Sequence, residues 1–167
     1  MTIRVGILTV SDRSAAGQRA DASGPVLEEA MIAQGWHVVR REIVADDLSI
    51  IQNRLTAWAD SGEMDVILTT GGTGFSPRDV TPEATAAVLD RLAPGLAEAM
   101  RAASLKTTPH AMLSRATSGI RGKTLVVNLP GSPKGALENL QIILPVLPHA
   151  VQLLSDDSQA EAGHRLI

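Results

Sequence analysis

Thr69-Thr-Gly-Gly-Thr-Gly-Phe-Ser-Pro-Arg-Asp-Val-Thr-Pro-Glu-Ala84 is the stretch whose reading decides the fold. It follows the apolar run Val66-Ile67-Leu68 without a break, so a buried strand runs into a loop and then into a helix. Gly71, Gly72 and Gly74 let the backbone take positive φ, approach a ligand closely and leave peptide N–H groups uncovered. Thr81-Pro82-Glu83 then reads as an N-cap, a proline at the first helical position and an acid in the first turn. A helix start aimed at such a loop favours bound phosphate. No Gly-Lys-Ser or Gly-Lys-Thr closes the loop, and no third glycine follows Gly74 at dinucleotide-binding spacing, so two familiar phosphate motifs are excluded. A plain strand-to-helix turn is the competing reading of the same residues.

The flanking chain repeats the alternation. Ile3 to Val10 is nearly continuously apolar, as expected of a strand covered on both faces. Ser11 to Gly24 is a polar loop long enough to be functional, and Pro25 to Gln34 reads as a helix stopped by Gly35. His37 to Val44 is a more polar strand, placed near an edge. Asp47 can cap a helix that carries Leu48, Ile51, Leu55 and Trp58 on one side, which leaves Asp46 at the carboxyl end of a strand. A helix is predicted over Pro82 to Leu92, and Pro94-Gly95 separates it from a second helical stretch up to Ser104. Thr107 to Lys123 reads as irregular, with a short hairpin around Gly119. Thr124 to Leu129 is the last strand. Pro130-Gly131-Ser132-Pro133 then supplies a turn, a serine cap and a proline that opens a helix, which Pro145 breaks before a final helix over Val146 to Leu154.

Strands alternating with helices predict an α/β fold, a three-layer sandwich with a mostly parallel central sheet. The expected organisation is a single domain over residues 1–167, with a loose polar tail from about residue 155. In such sheets ligands bind beyond the carboxyl ends of the strands. Ser11-Asp12, Asp46, Gly71 to Asp79 and Asn128 to Ser132 all follow predicted strands and should gather on that rim.

Composition narrows the chemistry. The 167 residues suffice for one well-buried core, and 44% hydrophobic with 20% charged residues is ordinary for a globular protein. A net charge of −3 without any basic run argues against a nucleic-acid surface. The absence of cysteine excludes disulfides, thiolate metal sites and cysteine nucleophiles, and the four histidines lack paired ligand spacing. With no long apolar stretch near the N-terminus, a cytoplasmic protein without a membrane span is expected. Peptide N–H cradles, a helix start, Arg78 and aspartates suit phosphate together with Mg²⁺, and Asp46 and Asp79 are the candidate acids. Either aspartate could instead be a cap or turn residue, and Arg78 could simply pair with Asp79.

Five segments carry a resemblance. Val5-Gly-Ile-Leu-Thr-Val-Ser-Asp12, the loop Thr69 to Ala84, Ser104-Leu-Lys-Thr-Thr-Pro-His-Ala-Met-Leu-Ser-Arg115, Gly119-Ile-Arg-Gly122 and Asn128-Leu-Pro-Gly-Ser-Pro133 resemble the MogA/MoaB family of molybdenum cofactor biosynthesis and the equivalent domain of gephyrin. The resemblance covers roughly Val5 to Leu154. It implies a molybdopterin-binding-like fold that assembles as a homotrimer, or a dimer of trimers, and works as a molybdopterin adenylyltransferase. In that reaction the terminal phosphate of molybdopterin attacks the α-phosphate of Mg-ATP and pyrophosphate leaves.

By motif position, Asp46 and Asp79 match the family's two important acids, as catalytic residues and Mg²⁺ ligands. Thr73, Ser104, Ser114 and Asn128 match positions that contact pterin or nucleotide, and Ser11 and Asp12 lie in the loop associated with pterin binding. Gly71, Gly72, Gly74, Pro130, Gly131 and Ser132 fit the phosphate-binding backbone, with Arg78 beside them. Two departures stand out. Ala45-Asp46-Asp47 occupies a place where a proline often precedes the acid, so the register between Asp46 and Asp47 stays open, and Ser132 stands where some relatives carry asparagine or glutamine. The alternative within the family is a non-catalytic carrier of the MoaB branch, which holds molybdopterin and hands it to a molybdenum insertase.

Overall fold

The computed structural model describes residues 2–155, and the tail expected beyond them lies outside the described residues. Its strands are β1 (Arg4–Val10), β2 (His37–Val44), β3 (Val66–Thr70), β4 (Arg91–Leu92), β5 (Ser118–Arg121) and β6 (Thr124–Leu129). They form one sheet in the order β2-β1-β3-β6-β5-β4. Pairings among β2, β1, β3 and β6 are parallel, whereas β5 and β4 extend the sheet in antiparallel sense. The expected mostly parallel sheet is present, with the polar strand β2 at its edge.

Period-two alternation divides the apolar side chains between two cores. Val5 and Ile7 of β1, Val66 and Leu68 of β3 and Leu125, Val127 and Leu129 of β6 face one side. There they pack against α2 (Ser23–Ala33), α5 (Pro94–Leu105), α6 (Pro133–Ile143) and α7 (Leu147–Leu154). Leu8, Val10, Ile67 and Val126 face the other side, beneath α3 (Leu48–Asp60) and α4 (Thr81–Val88). The result is a three-layer α/β sandwich. Trp58 of α3 is 1% exposed and lies against Gly6, where a Cβ would stand 2.9 Å from the indole and 2.4 Å from Met64 Sδ. The close approach of α3 to β1 therefore depends on that glycine.

The structure redraws several local expectations. The loop after β1 contains one helical turn, α1 (Asp12–Ala15), and α2 starts at Ser23 rather than Pro25. The helix expected to reach Leu92 stops at Val88. Leu89 turns extended, and Arg91-Leu92 pairs with β5 as an edge strand. The hairpin bends at Gly122, whose φ is 56°, while Gly119 sits inside β5. A Cβ at Gly119 would lie 2.5 Å from the Arg91 carbonyl, so this glycine permits strand approach rather than a turn.

By length and composition alone, the 22-residue helical run Pro133–Leu154 could cross a membrane. Its inward stripe of Ala136, Leu140, Ile143, Leu147 and Val151 instead belongs to the first core.

Candidate active site

Four turns leave the carboxyl ends of the parallel strands side by side, and each is shaped by its own local chemistry. After β1, the Ser11 hydroxyl accepts from the Ser14 N–H and caps α1. After β2, the Asp47 carboxylate accepts from the Ile50 N–H at 2.9 Å and caps α3. With Asp47 capping the helix, Asp46 is the one of the two acids that lines the cleft.

The glycine turn follows β3. Gly71 has φ 103°, and a Cβ there would stand 2.2 Å from the Val10 carbonyl. Gly72 has φ 66°, and its Cβ would meet Thr81 Oγ1 at 2.3 Å and Asp46 Oδ1 at 3.0 Å. A Cβ on Gly74 would lie 2.9 Å from Asp79 Oδ2. Both carboxylates thus rest against one turn, which only glycine lets come so close. Thr81 is the first residue of α4 rather than its cap, and its hydroxyl donates to the Gly71 carbonyl at 2.9 Å. After β6, Gly131 packs on Gly71, and the Ser132 hydroxyl accepts from the Gly135 N–H to cap α6 as expected.

Between these turns lies a cleft of about 770 Å³. Ser11, Asp12, Asp46, Gly71, Gly72, Arg78, Asp79, Gly131 and Ser132 all line it. Arg78 pairs with Asp12, at 3.0 and 3.1 Å, rather than with Asp79. The Asp79 carboxylate accepts from the Ser76 N–H at 3.0 Å. Arg13, Arg19 and Asp21 also line the cleft, and sequence reasoning did not single them out. The one available signal was that they sit in the long Ser11 to Gly24 loop. Asp21 holds that loop to β1 by accepting from Thr9 Oγ1 at 2.9 Å and from the Gly24 N–H at 3.0 Å.

The charges are unevenly compensated. Hydrogen bonds from Arg78, and then from the Asp46 N–H, hold the Asp12 carboxyl below the usual carboxylate range. Burial pushes the Asp46 carboxyl up; the Asp12 N–H pulls it partly back, and the charges of Asp12 and Asp79 push it further up. Asp46 and Asp79 thus bring two carboxyl groups against one turn of peptide groups. Two such carboxyl groups could hold a divalent cation that is shared with phosphate oxygens.

A second cleft, of about 310 Å³, holds Ser104 and Ser114 with Thr107, Thr108, His110 and Asn139. Pro130 lines this second cleft, and Ser132 lines both, so the two adjoin at the start of α6. Thr73, Gly74 and Asn128 line neither. Asn128 is fully buried, its amide donating to Thr69 Oγ1 and Thr85 Oγ1 at 2.9 Å each and accepting from the Thr117 N–H at 3.2 Å. It braces β6 against β3 and α4. Thr73 is buried as well, and its carbonyl accepts from the Arg115 N–H at 2.9 Å.

Comparison with known proteins points the same way. Residues 6–149 match the family described as "Probable molybdopterin binding domain". The chain is 47% identical over 158 residues to the molybdenum cofactor synthesis protein cinnamon of Drosophila melanogaster, spanning 93% of this chain but 26% of the fly protein. It is 42% identical over 155 residues to the molybdopterin adenylyltransferase of a Helicobacter pylori strain, spanning 92% of this chain and 88% of that protein. The crystal structure of the molybdopterin biosynthesis enzyme MoaB from Thermus thermophilus superposes with a TM-score of 0.87 at 51% identity, covering 92% of this chain and 97% of that one.

Proposed function

The chain belongs to the MogA/MoaB family of molybdenum cofactor biosynthesis, and on that premise we propose that it is a molybdopterin adenylyltransferase. One observation carries the reading: turns from four parallel strands meet in a single cleft, with Asp46 and Asp79 against the same glycine turn. An oxygen of the molybdopterin terminal phosphate attacks the α-phosphorus of ATP. That P–O bond forms as the bond to the β-phosphate bridging oxygen breaks, and pyrophosphate departs with the electron pair. Such transfer needs alignment and charge neutralisation more than covalent help from the protein.

We assign the triphosphate to the larger cleft, which the glycine turn and the start of α6 both line. Arg78 stands ready there to exchange Asp12 for a phosphate oxygen. The pterin is assigned to the smaller cleft, whose hydroxyls on Ser104 and Ser114 suit a flat, hydrogen-bonding ring system. Ser132, on the shared border, marks where the two phosphates meet. Asp46 and Asp79, both against the glycine turn, are the residues that would hold Mg²⁺. When bound, the ion neutralises charge on the phosphates.

The same reading includes a cytoplasmic protein that assembles as a homotrimer, or as a dimer of trimers, and hands its product to a molybdenum insertase. Exposed apolar side chains such as Met112, Leu113 and Val146 leave surface for assembly, which sedimentation velocity measures.

The direct test is incubation with molybdopterin and Mg-ATP. Release of pyrophosphate with one adenylylated pterin per turnover supports the enzyme. Pterin binding without turnover would make the chain a carrier instead.

A further inference from the structure

We propose that Arg115 is a positioning residue: from outside the larger cleft it fixes the main chain that carries Asp79. The inference rests on the assignment of Asp79 to the adenylyl-transfer site and extends it to a residue that lines neither cleft.

The geometry is that of a clamp. The Arg115 main-chain N–H donates to the Thr73 carbonyl at 2.9 Å. Its Nε donates to the Gly74 carbonyl at 2.7 Å and its Nη2 to the Asp79 carbonyl at 2.6 Å. Nη1 pairs with the Glu83 carboxylate, which this contact holds below its usual carboxyl range. One residue thus grips the glycine turn, the acid and the first turn of α4 together.

Between Gly72 and Thr81 the chain has little regular structure to hold it. The Asp79 N–H donates to the Ser76 carbonyl and the Thr81 N–H to the Gly72 carbonyl. A planar guanidinium with diverging donors can span several carbonyls at once, whereas an ammonium is a single point of charge on a flexible stem. Arg115 supplies those bonds from the segment before β5, where they stay clear of the ligand.

Three measurements test the proposal. Replacing Arg115 by alanine should lower kcat by about 10²-fold, the loss expected when a reacting group is misplaced by roughly 1 Å. Arg115→Lys, which keeps the charge facing Glu83, should melt near the wild-type temperature yet stay nearly as slow as the alanine variant. In an Asp79→Asn background, Arg115→Ala should cost little further rate, because effects acting through one group do not add.

A fourth readout needs no turnover. Mn²⁺ binding in the presence of a non-hydrolysable ATP analogue, followed by electron paramagnetic resonance, should weaken in Arg115→Ala by about the same factor as in Asp79→Asn. Full recovery of rate by lysine, additive losses in the double variant, or Mn²⁺ binding unchanged by Arg115→Ala would each overturn the proposal. If wild-type protein forms no adenylylated pterin, the enzymatic reading fails, and the Mn²⁺ measurement still decides the role of Arg115.

Discussion

Asp12 and Asp46 exchange hydrogen bonds in both directions: the Asp12 N–H donates to Asp46 Oδ2 at 2.8 Å, and the Asp46 N–H donates to Asp12 Oδ1 at 3.0 Å. The ring joins the turns after β1 and β2, two neighbouring parallel strands. It also gives the two carboxylates different characters. Asp12 faces Arg78, whereas Asp46 turns its other oxygen toward Gly72, among groups that burial partly shields from water. Two acids in one loop cluster thus come to do separate work, one tethering an arginine and the other presenting charge to the cleft.

Asp46→Asn should abolish pyrophosphate release without destabilising the protein at neutral pH. Burial raises the Asp46 carboxyl above its value in the unfolded chain, so the folded state holds that proton to higher pH. Stability tied to this group is therefore greatest below the ordinary carboxylate value of about 4 and is lost as pH rises from there through the raised value. An amide carries no such penalty and can still accept the Asp12 N–H. Urea unfolding at acid and neutral pH should show the variant gaining on wild type as pH rises.

Arg78 gives the opposite sign. Its hydrogen bonds to Asp12 depress that carboxyl, so the stabilisation is present above the ordinary carboxylate value and fades as pH falls through the depressed one. The pair is exposed and its contribution to folding is small. Arg78→Ala should therefore differ from wild type in urea midpoint only slightly at neutral pH, and not at all in strong acid. The larger effect should fall on the ligand: loss of one charge-assisted hydrogen bond weakens ATP by about 10- to 100-fold, measurable by calorimetry.

Gly71→Ala should destabilise the fold itself. A side chain at φ 103° costs roughly 1–3 kcal/mol in backbone strain, and the new Cβ would also press on the Val10 carbonyl. Denaturant midpoints should register the loss. Activity measured on the remaining folded fraction should fall too, because the glycine turn seats Asp46.

The fold was legible because buried parallel strands announce themselves as short apolar runs, and the cleft because four turns follow the ends of such runs. Side-chain direction was less legible. Asn128 precedes Pro130-Gly131-Ser132 and so read as part of the site, yet it shares the inward face of β6 with Val126 and bonds to residues 59 and 43 positions away. Arg78 finds Asp12 at a separation of 66 residues, which no local spacing encodes. Arg115 binds mainly main-chain carbonyls, and carbonyls leave no trace in composition or pattern. The choice between Asp46 and Asp47 was open in the motif, but the three-residue step from Asp47 to Ile50 is capping geometry.

Asn128→Ala separates bracing from ligand contact. The wild-type amide, itself fully buried, joins Thr69 and Thr85 and accepts from the half-buried Thr117 N–H, so truncation leaves that main-chain donor without its acceptor and opens a small void. Each buried group left unsatisfied costs about 1–3 kcal/mol, and the hydroxyls of Thr69 and Thr85 both lose their donor, so a loss of roughly 2–4 kcal/mol is expected in urea unfolding. If bracing is the whole of its role, the KM for ATP, measured well below the unfolding transition, should stay within about threefold of wild type, less than the tenfold that 1.4 kcal/mol of binding represents. A large rise in KM with stability unchanged would show that Asn128 serves the ligand rather than the sheet.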